Sequence, residues 1–238
     1  MTEIAHIDAL PLAMAFIPAL LVLIVLWRWS CAAGTSAYAL LRMLLQLLLV
    51  GYVLTYVFAS NSAVVVSSVL LVMLLAACWI ALRTINHQRK ALMGPAVLSI
   101  GVTSLMILTL ITQFVLQASP WYDPQLLLPL GGMVLSASMN AVSLAAERME
   151  SELLAGVGLR VARNRALLAA LIPVTNSLFA VGLVTLPGMM TGQILSGVSP
   201  LIAARYQIVV MCMLFGASGL AAAAFLQMYI RRVSHNSV

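Results

Sequence analysis

Seven stretches run almost free of charge along this chain: Leu10–Trp27, Met43–Ala59, Val64–Leu82, Val97–Leu116, Leu126–Ala146, Ala166–Leu186 and Ile208–Ile230. About 20 apolar residues is the length a helix needs to cross a hydrocarbon core about 30 Å thick. In lipid no water is present to satisfy backbone N–H and C=O groups, so such runs must be helices. The predicted fold is an all-α membrane protein, a polytopic bundle of about seven transmembrane helices in one domain spanning residues 1–238.

Composition checks this reading. Residues are 63% hydrophobic and 8% charged, where soluble domains carry about a quarter charged residues. Too little polar surface exists to cover a globule. The first stretch does not read as a cleavable signal peptide, because Glu3 and Asp8 precede it and Pro11 and Pro18 interrupt it. The cysteines Cys31, Cys78 and Cys212 are far apart, set in or beside apolar runs, and read as small hydrophobes.

Charge placement orients the spans. With the N-terminus outside, every basic residue but Arg205 falls on the cytoplasmic side: Arg28, Arg42, Arg83, Arg89, Lys90, Arg148, Arg160, Arg163, Arg165, Arg231 and Arg232. The positive-inside rule predicts this asymmetry. Seven spans then leave the C-terminus cytoplasmic. Because these cations are dispersed between apolar runs, nucleic acid is not an expected partner; the bilayer is.

Several chemistries are excluded. A phosphate-cradling loop needs Gly-Lys-Ser/Thr, and the one lysine, Lys90, lies between Arg89 and Ala91. Any ATP must therefore be used by another chain. His6, His87 and His235 lie in tails or a loop, and the acidic residues Glu3, Asp8, Asp123, Glu147, Glu150 and Glu152 lie outside or at the ends of the spans. An intramembrane enzyme or proton relay would place ionisable groups at depth. No catalytic residue and no bound cofactor are expected in this chain.

Neutral polar residues remain inside the spans: Gln46, Gln113, Asn140, Asn176 and Thr185. Each alone reads most simply as a hydrogen-bonding contact between helices. Arg42 stands four residues before Gln46, so the two share a helix face. The pair either snorkels to the interface or faces a polar pathway.

The segment Leu183-Val-Thr-Leu-Pro-Gly-Met-Met-Thr-Gly-Gln-Ile-Leu-Ser-Gly-Val-Ser-Pro200 is uncharged yet rich in helix breakers. Irregular backbone at membrane depth is tolerated where protein buries it or where it lines a cavity, and interrupted apolar segments point to a transporter's binding region. The expectation is a broken or re-entrant segment after the sixth span. A second interruption, Leu128-Pro-Leu-Gly-Gly-Met133, lies early in the fifth span. Pro187, Gly188, Met189, Met190 and Gly192, with Pro129, Gly132 and Met133, are expected to shape an outer gate, and Arg42, Gln46, Asn140 and Asn176 to line or brace the pathway. Met133, Met139, Met189 and Met190 offer soft thioethers, although gap-filling is the plainer role of methionine.

The insertion Glu147–Arg165 is dense in charge and broken by Gly156 and Gly158. It reads either as a solvated loop or as an element that couples to a partner.

The run Pro187-Gly-Met-Met-Thr-Gly192, followed by Ser196-Gly197, Pro200 and Tyr206-Gln-Ile208, resembles the FetB-type ABC transporter permeases, an iron-export permease family with plant aluminium-tolerance relatives. Arg42-Met-Leu-Leu-Gln46, Gly51-Tyr-Val-Leu54, Pro129 with Gly132-Met133, and Ala170-Leu-Ile-Pro173 match in order. The chain is a divergent member, with neutral Asn176 where the family favours an acidic residue. The resemblance implies a homodimeric permease in the inner membrane, exporting a metal ion described as iron. It also implies a separate ATP-binding cassette subunit that holds ATP-Mg and meets Glu150, Glu152, Leu153 and Gly156. A non-transporting scaffold or sensor subunit and an ATP-independent channel are the alternatives.

Overall fold

The computed structural model describes residues 8–60, 62–85 and 89–236, so Glu3, His6 and His87 lie outside the described residues. Described residues form helices and one isolated bridge between Val181 and Thr185. They divide into two units, residues 1–59 and residues 60–238.

The first unit holds α1 (Ala9–Met14), α2 (Ile17–Arg28) and α3 (Ala33–Ala59). Proline has no N–H to donate to the carbonyl four residues back, and α1 ends at Met14, four residues ahead of Pro18, which occupies the first turn of α2. Together α1 and α2 supply one membrane-length apolar stretch, Leu10–Arg28.

The second unit holds α4 (Ala63–Ala81), α5 (Arg89–Thr109), α6 (Pro124–Leu154), α7 (Leu159–Ala180), α8 (Gly188–Leu195) and α9 (Pro200–Asn236). A turn of 3-10 helix extends α4 to Thr84, and a π-helical turn, Leu110–Val115, closes α5. At the start of α6, Pro124 sits where no N–H is needed, and the Asp123 carboxylate accepts a hydrogen bond from the Gln125 N–H at 3.0 Å.

Two buried clusters are layered along this unit. One joins Leu82, Leu92, Ala145, Met149, Ala162, Phe225 and Tyr229, where α4, α6 and α9 end and α5 and α7 begin. The other joins Ile111, Leu130, Val134, Val210 and Met213 at the opposite end. The five long helices therefore alternate in direction, with α6 and α9 at the centre.

Small residues let them approach. Ala162, Ala166 and Ala170 form a buried stripe at four-residue spacing on α7, and Ala141 and Ala145 on α6 and Ala217 and Ala221 on α9 are likewise buried. Where α6 and α9 meet, Ser138 donates to the Ala217 carbonyl at 3.3 Å and Ser218 to the Ala137 carbonyl at 3.5 Å. Such small-residue seams hold helices together in lipid by contact and hydrogen bonding, because lipid tails leave little hydrophobic drive between helices.

Among the described residues, six helical segments are long and apolar enough to cross a membrane: Leu10–Arg28, Ala33–Ala59, Ala63–Thr84, Arg89–Val115, Pro124–Leu154 and Pro200–Arg232. The remaining expected span, Ala166–Leu186, differs. Its helix begins earlier, at Leu159, takes Arg160, Arg163 and Arg165 into its first turns, and stops at Ala180. From Ala166 to Ala180 only about 22 Å of charge-free helix is left at 1.5 Å per residue.

The α6–α7 connection is closed by Gly156. Its φ of +76° is one that L side chains rarely adopt. The Val157 N–H bonds to the Glu152 carbonyl at 3.0 Å and the Gly156 N–H to the Leu153 carbonyl at 3.0 Å, the paired bonds of a Schellman stop. No heavy atom lies within 4 Å of a Cβ placed there. Gly156→Ala is therefore expected to lower stability by about 1 kcal/mol through backbone strain alone. Gly156→Asn should lose less than half of that, since asparagine tolerates the left-handed region. Thermal unfolding of the purified chain measures both, and equal losses would count against backbone strain as the cause.

Candidate functional site

The chain breaks where a hydropathy reading sees continuity. After Ala180 it turns through Val181–Thr185, with Gly182 at φ +81°, and the Val184 and Thr185 N–H groups return to the Ala180 carbonyl at 2.8 and 3.1 Å. Pro187 then leads into α8. The Gly197 N–H bonds to the Ile194 carbonyl and the Val198 N–H to the Gln193 carbonyl, both at 3.0 Å, with Gly197 at φ +92°. This second Schellman stop hands the chain to Ser199 and Pro200, which start α9. Leu183, Val184, Leu186 and Leu195 are all strongly exposed. So much bare apolar surface on an irregular segment belongs in lipid rather than water.

Beside this break lies a cavity of about 440 Å³. Three helix faces and the break build it. Met133, Ala137, Asn140 and Leu144 of α6 recur at helical spacing, as do Pro173, Val174 and Ser177 of α7 and Gln207, Met211, Leu214 and Ser218 of α9. Thr185, Pro187, Gly188 and Met189 complete the wall. No charged side chain lines it. Gln207 is 6% exposed, and its side-chain oxygen has no hydrogen-bond partner. A larger groove of about 690 Å³ lies among α4, α5 and α6, lined chiefly by leucine and valine with Ser104, Gln113 and Trp121.

The residues expected from sequence divide. Met133, Asn140, Pro187, Gly188 and Met189 line the cavity, whereas Pro129, Gly132, Asn176, Met190 and Gly192 do not. Pro129 and Asn176 are exposed elsewhere on their helices. Gly132 instead admits the Met73 side chain of α4, whose Cε lies 3.3 Å from where a Cβ would be. Arg42 and Gln46 belong to the first unit. With the amide oxygen turned to the guanidinium, Gln46 accepts from Arg42 Nε at 2.9 Å and Nη2 at 3.1 Å. Gln207, Met211, Ser177 and Ser218 were not expected; the signal for the three on α9 was a polar and methionine stripe at positions 207, 211 and 218 on one face of an apolar helix, and Ser177 on α7 had none.

In the Glu147–Arg165 segment, Glu152 is buried and faces inward. Its carboxylate meets Arg148 Nη2 at 2.5 Å and Arg165 Nη1 at 2.9 Å, tying α6 to α7 beneath the loop. Removing the partners of a buried charge is what destabilises such a site. Glu152 and Gly156 therefore shape this loop, while Leu154 is 85% exposed at its tip. Leu153 packs against the buried cluster and Glu150 is half-buried. Among the described residues, no three His, Cys, Asp or Glu side chains are grouped to hold a metal ion.

Comparison with known proteins places the chain among membrane proteins. The chain is 38% identical to the UPF0014 membrane protein slr1647 of Synechocystis over 78% of its own length and 77% of that protein's. It is 31% identical to the "Probable iron export permease protein FetB" of Escherichia coli, over 75% of this chain and 73% of that one. It is 30% identical to the Protein ALUMINUM SENSITIVE 3 of Arabidopsis thaliana, over 78% and 72%. No solved structure matches. With its residues 8–234 matching the model of UPF0014, described as an uncharacterised protein family, this helical, multi-pass membrane protein belongs to that family.

Proposed function

We propose that the chain is the permease subunit of an ATP-binding cassette transporter that exports a metal ion. The observation that carries the reading is the broken α7–α8–α9 segment, which walls a cavity with polar groups in an otherwise apolar bundle. A broken helix beside a cavity is how transporters build a binding region within lipid. The name of the Escherichia coli relative adds support, and iron is the ion named there. Two copies would pair in the inner (cytoplasmic) membrane with their N-termini outside and C-termini cytoplasmic. In the second unit, Arg83, Arg89, Lys90, Arg148, Arg160, Arg163, Arg165, Arg231 and Arg232 cluster near one end of the alternating helices, and Arg205 lies toward the other. The first end would face the cytoplasm.

The chain is not itself an enzyme in this reading. A separate ATPase with bound ATP-Mg would press on the α6–α7 loop and drive alternating access. Leu154 is the contact at the tip, and Glu150, Glu152, Leu153 and Gly156 hold the loop's form.

Affinity capture of the tagged chain from gently solubilised membranes tests this. An ATP-binding cassette ATPase is expected to co-purify, and Leu154→Arg should cut its recovery about tenfold, as loss of an interface anchor does, with membrane insertion unchanged. A chain that purifies alone from cells able to make the ATPase, with metal efflux equal in cells lacking it, overturns the reading in favour of a scaffold or channel.

A further inference from the structure

We propose that the cavity binds a soft, singly charged metal cation of the Cu(I) or Ag(I) class. Met133, Met189 and Met211 would supply thioether ligands, and Gln207 one buried oxygen. Treating that ion as cargo rests on the permease reading; the site itself does not.

The first observation is Gln207. A buried amide oxygen without a partner is disfavoured, and this one belongs to a residue that lines an open cavity. The oxygen is shut off from the open cavity as the amide stands, and turning the amide would present it to a cation there. The second is the methionines. Three of them reach the same cavity from three different helices, α6, α8 and α9. Met190, the neighbour of Met189, does not.

The chemistry of the wall then selects the ion. Divalent and trivalent hard cations favour oxygen-rich sites that include carboxylates. No such group lines the cavity, and no acidic cluster occurs among the described residues. Moving an ion out of water carries a cost that rises with the square of its charge, so a neutral cavity favours a single charge. Thioether sulfur is polarisable and selects Cu(I) among biological metals. Silver is its closest chemical stand-in. The neutral groups of Asn140, Ser177 and Ser218 complete a wall suited to weak, reversible binding. This chemistry points away from the iron in the relative's name.

The test uses the whole purified chain in detergent, titrated anaerobically with Cu(I) against a chromogenic chelator and, separately, with Ag(I) by calorimetry. One ion per chain is expected at the tightest site. Met133→Leu, Met189→Leu and Met211→Leu together conserve volume, so the fold should survive, as a thermal melt will verify, while affinity falls at least about tenfold. Gln207→Glu places an anion against the ion and should tighten binding by about tenfold or more. Fe(II) should not compete. Equal affinity in wild type and the triple methionine variant, or no tightening in Gln207→Glu, overturns the site. Because neither ATPase nor transport enters the measurement, a chain that captures its ATPase yet ignores Ag(I) retains the permease reading and loses this one.

Discussion

Ser177→Trp is expected to stop the proposed metal export, and Asn176→Trp, one residue earlier on the same helix, to leave it nearly unchanged. Ser177 lines the cavity, and its hydroxyl bonds only back to the Pro173 carbonyl of its own helix at 3.0 Å. Its replacement therefore breaks no hydrogen bond between helices, while an indole would fill the cavity. Asn176 is exposed and points away from the cavity. A fall of about tenfold or more for the first, against less than about twofold for the second, is the contrast that a blocked pore produces. Metal efflux from cells carrying each variant at matched membrane levels measures it. Similar losses in both would mean that the passage runs elsewhere.

The second large effect falls on the seam of the bundle. Ala217→Leu adds three carbons at a position with no exposure, where α9 already lies within hydrogen-bonding distance of Ser138 on α6. Overpacking of this kind costs about 1–3 kcal/mol and occasionally more. In lipid the added carbons gain little from burial, because an exposed leucine there is already in an apolar solvent, so nothing offsets the strain. Leu220→Ala, on the same helix at 48% exposure, should stay within about 0.5 kcal/mol of the parent. Thermal midpoints of the purified variants decide, and equal losses would show that the seam has slack.

Much of the fold was legible because lipid imposes one rule, an uninterrupted apolar run of fixed length. That rule located the apolar middles of six membrane-length helices but not all their ends: one begins at Ala33 rather than Met43, another at Arg89 rather than Val97, a third runs on to Leu154 rather than Ala146, and the last begins at Pro200 rather than Ile208. It failed at Leu186, because Val181–Leu186 is a turn made almost wholly of apolar residues, and hydropathy registers composition rather than backbone direction. Gly182, whose positive φ makes the turn, gave no sign in an apolar run.

The site was half legible for a related reason. Pro187, Gly188, Met189, Met133 and Asn140 stand out as breakers or polar intruders, and they do line the cavity. A step of one residue on a helix rotates the side chain by about 100°, so Met190 and Asn176 were indistinguishable from their neighbours until the faces were known. Gln207 entered only as part of the run Tyr206-Gln-Ile208, and its burial with an orphaned oxygen is what sets it apart. Glu152 looked like a docking charge because sequence cannot show that Arg148 and Arg165 close over it.

The stretch between α7 and α9 has a mechanical consequence. Two glycines in left-handed geometry, Gly182 and Gly197, bracket α8, an eight-residue helix that packs chiefly on α9. Rotation about those two pivots would swing Met189 and the adjoining wall outward as a single stiff piece, without unwinding any long rod of the bundle. In the permease reading such a hatch would let the compartment change its aperture at the expense of one small interface, leaving the buried alanine seams undisturbed.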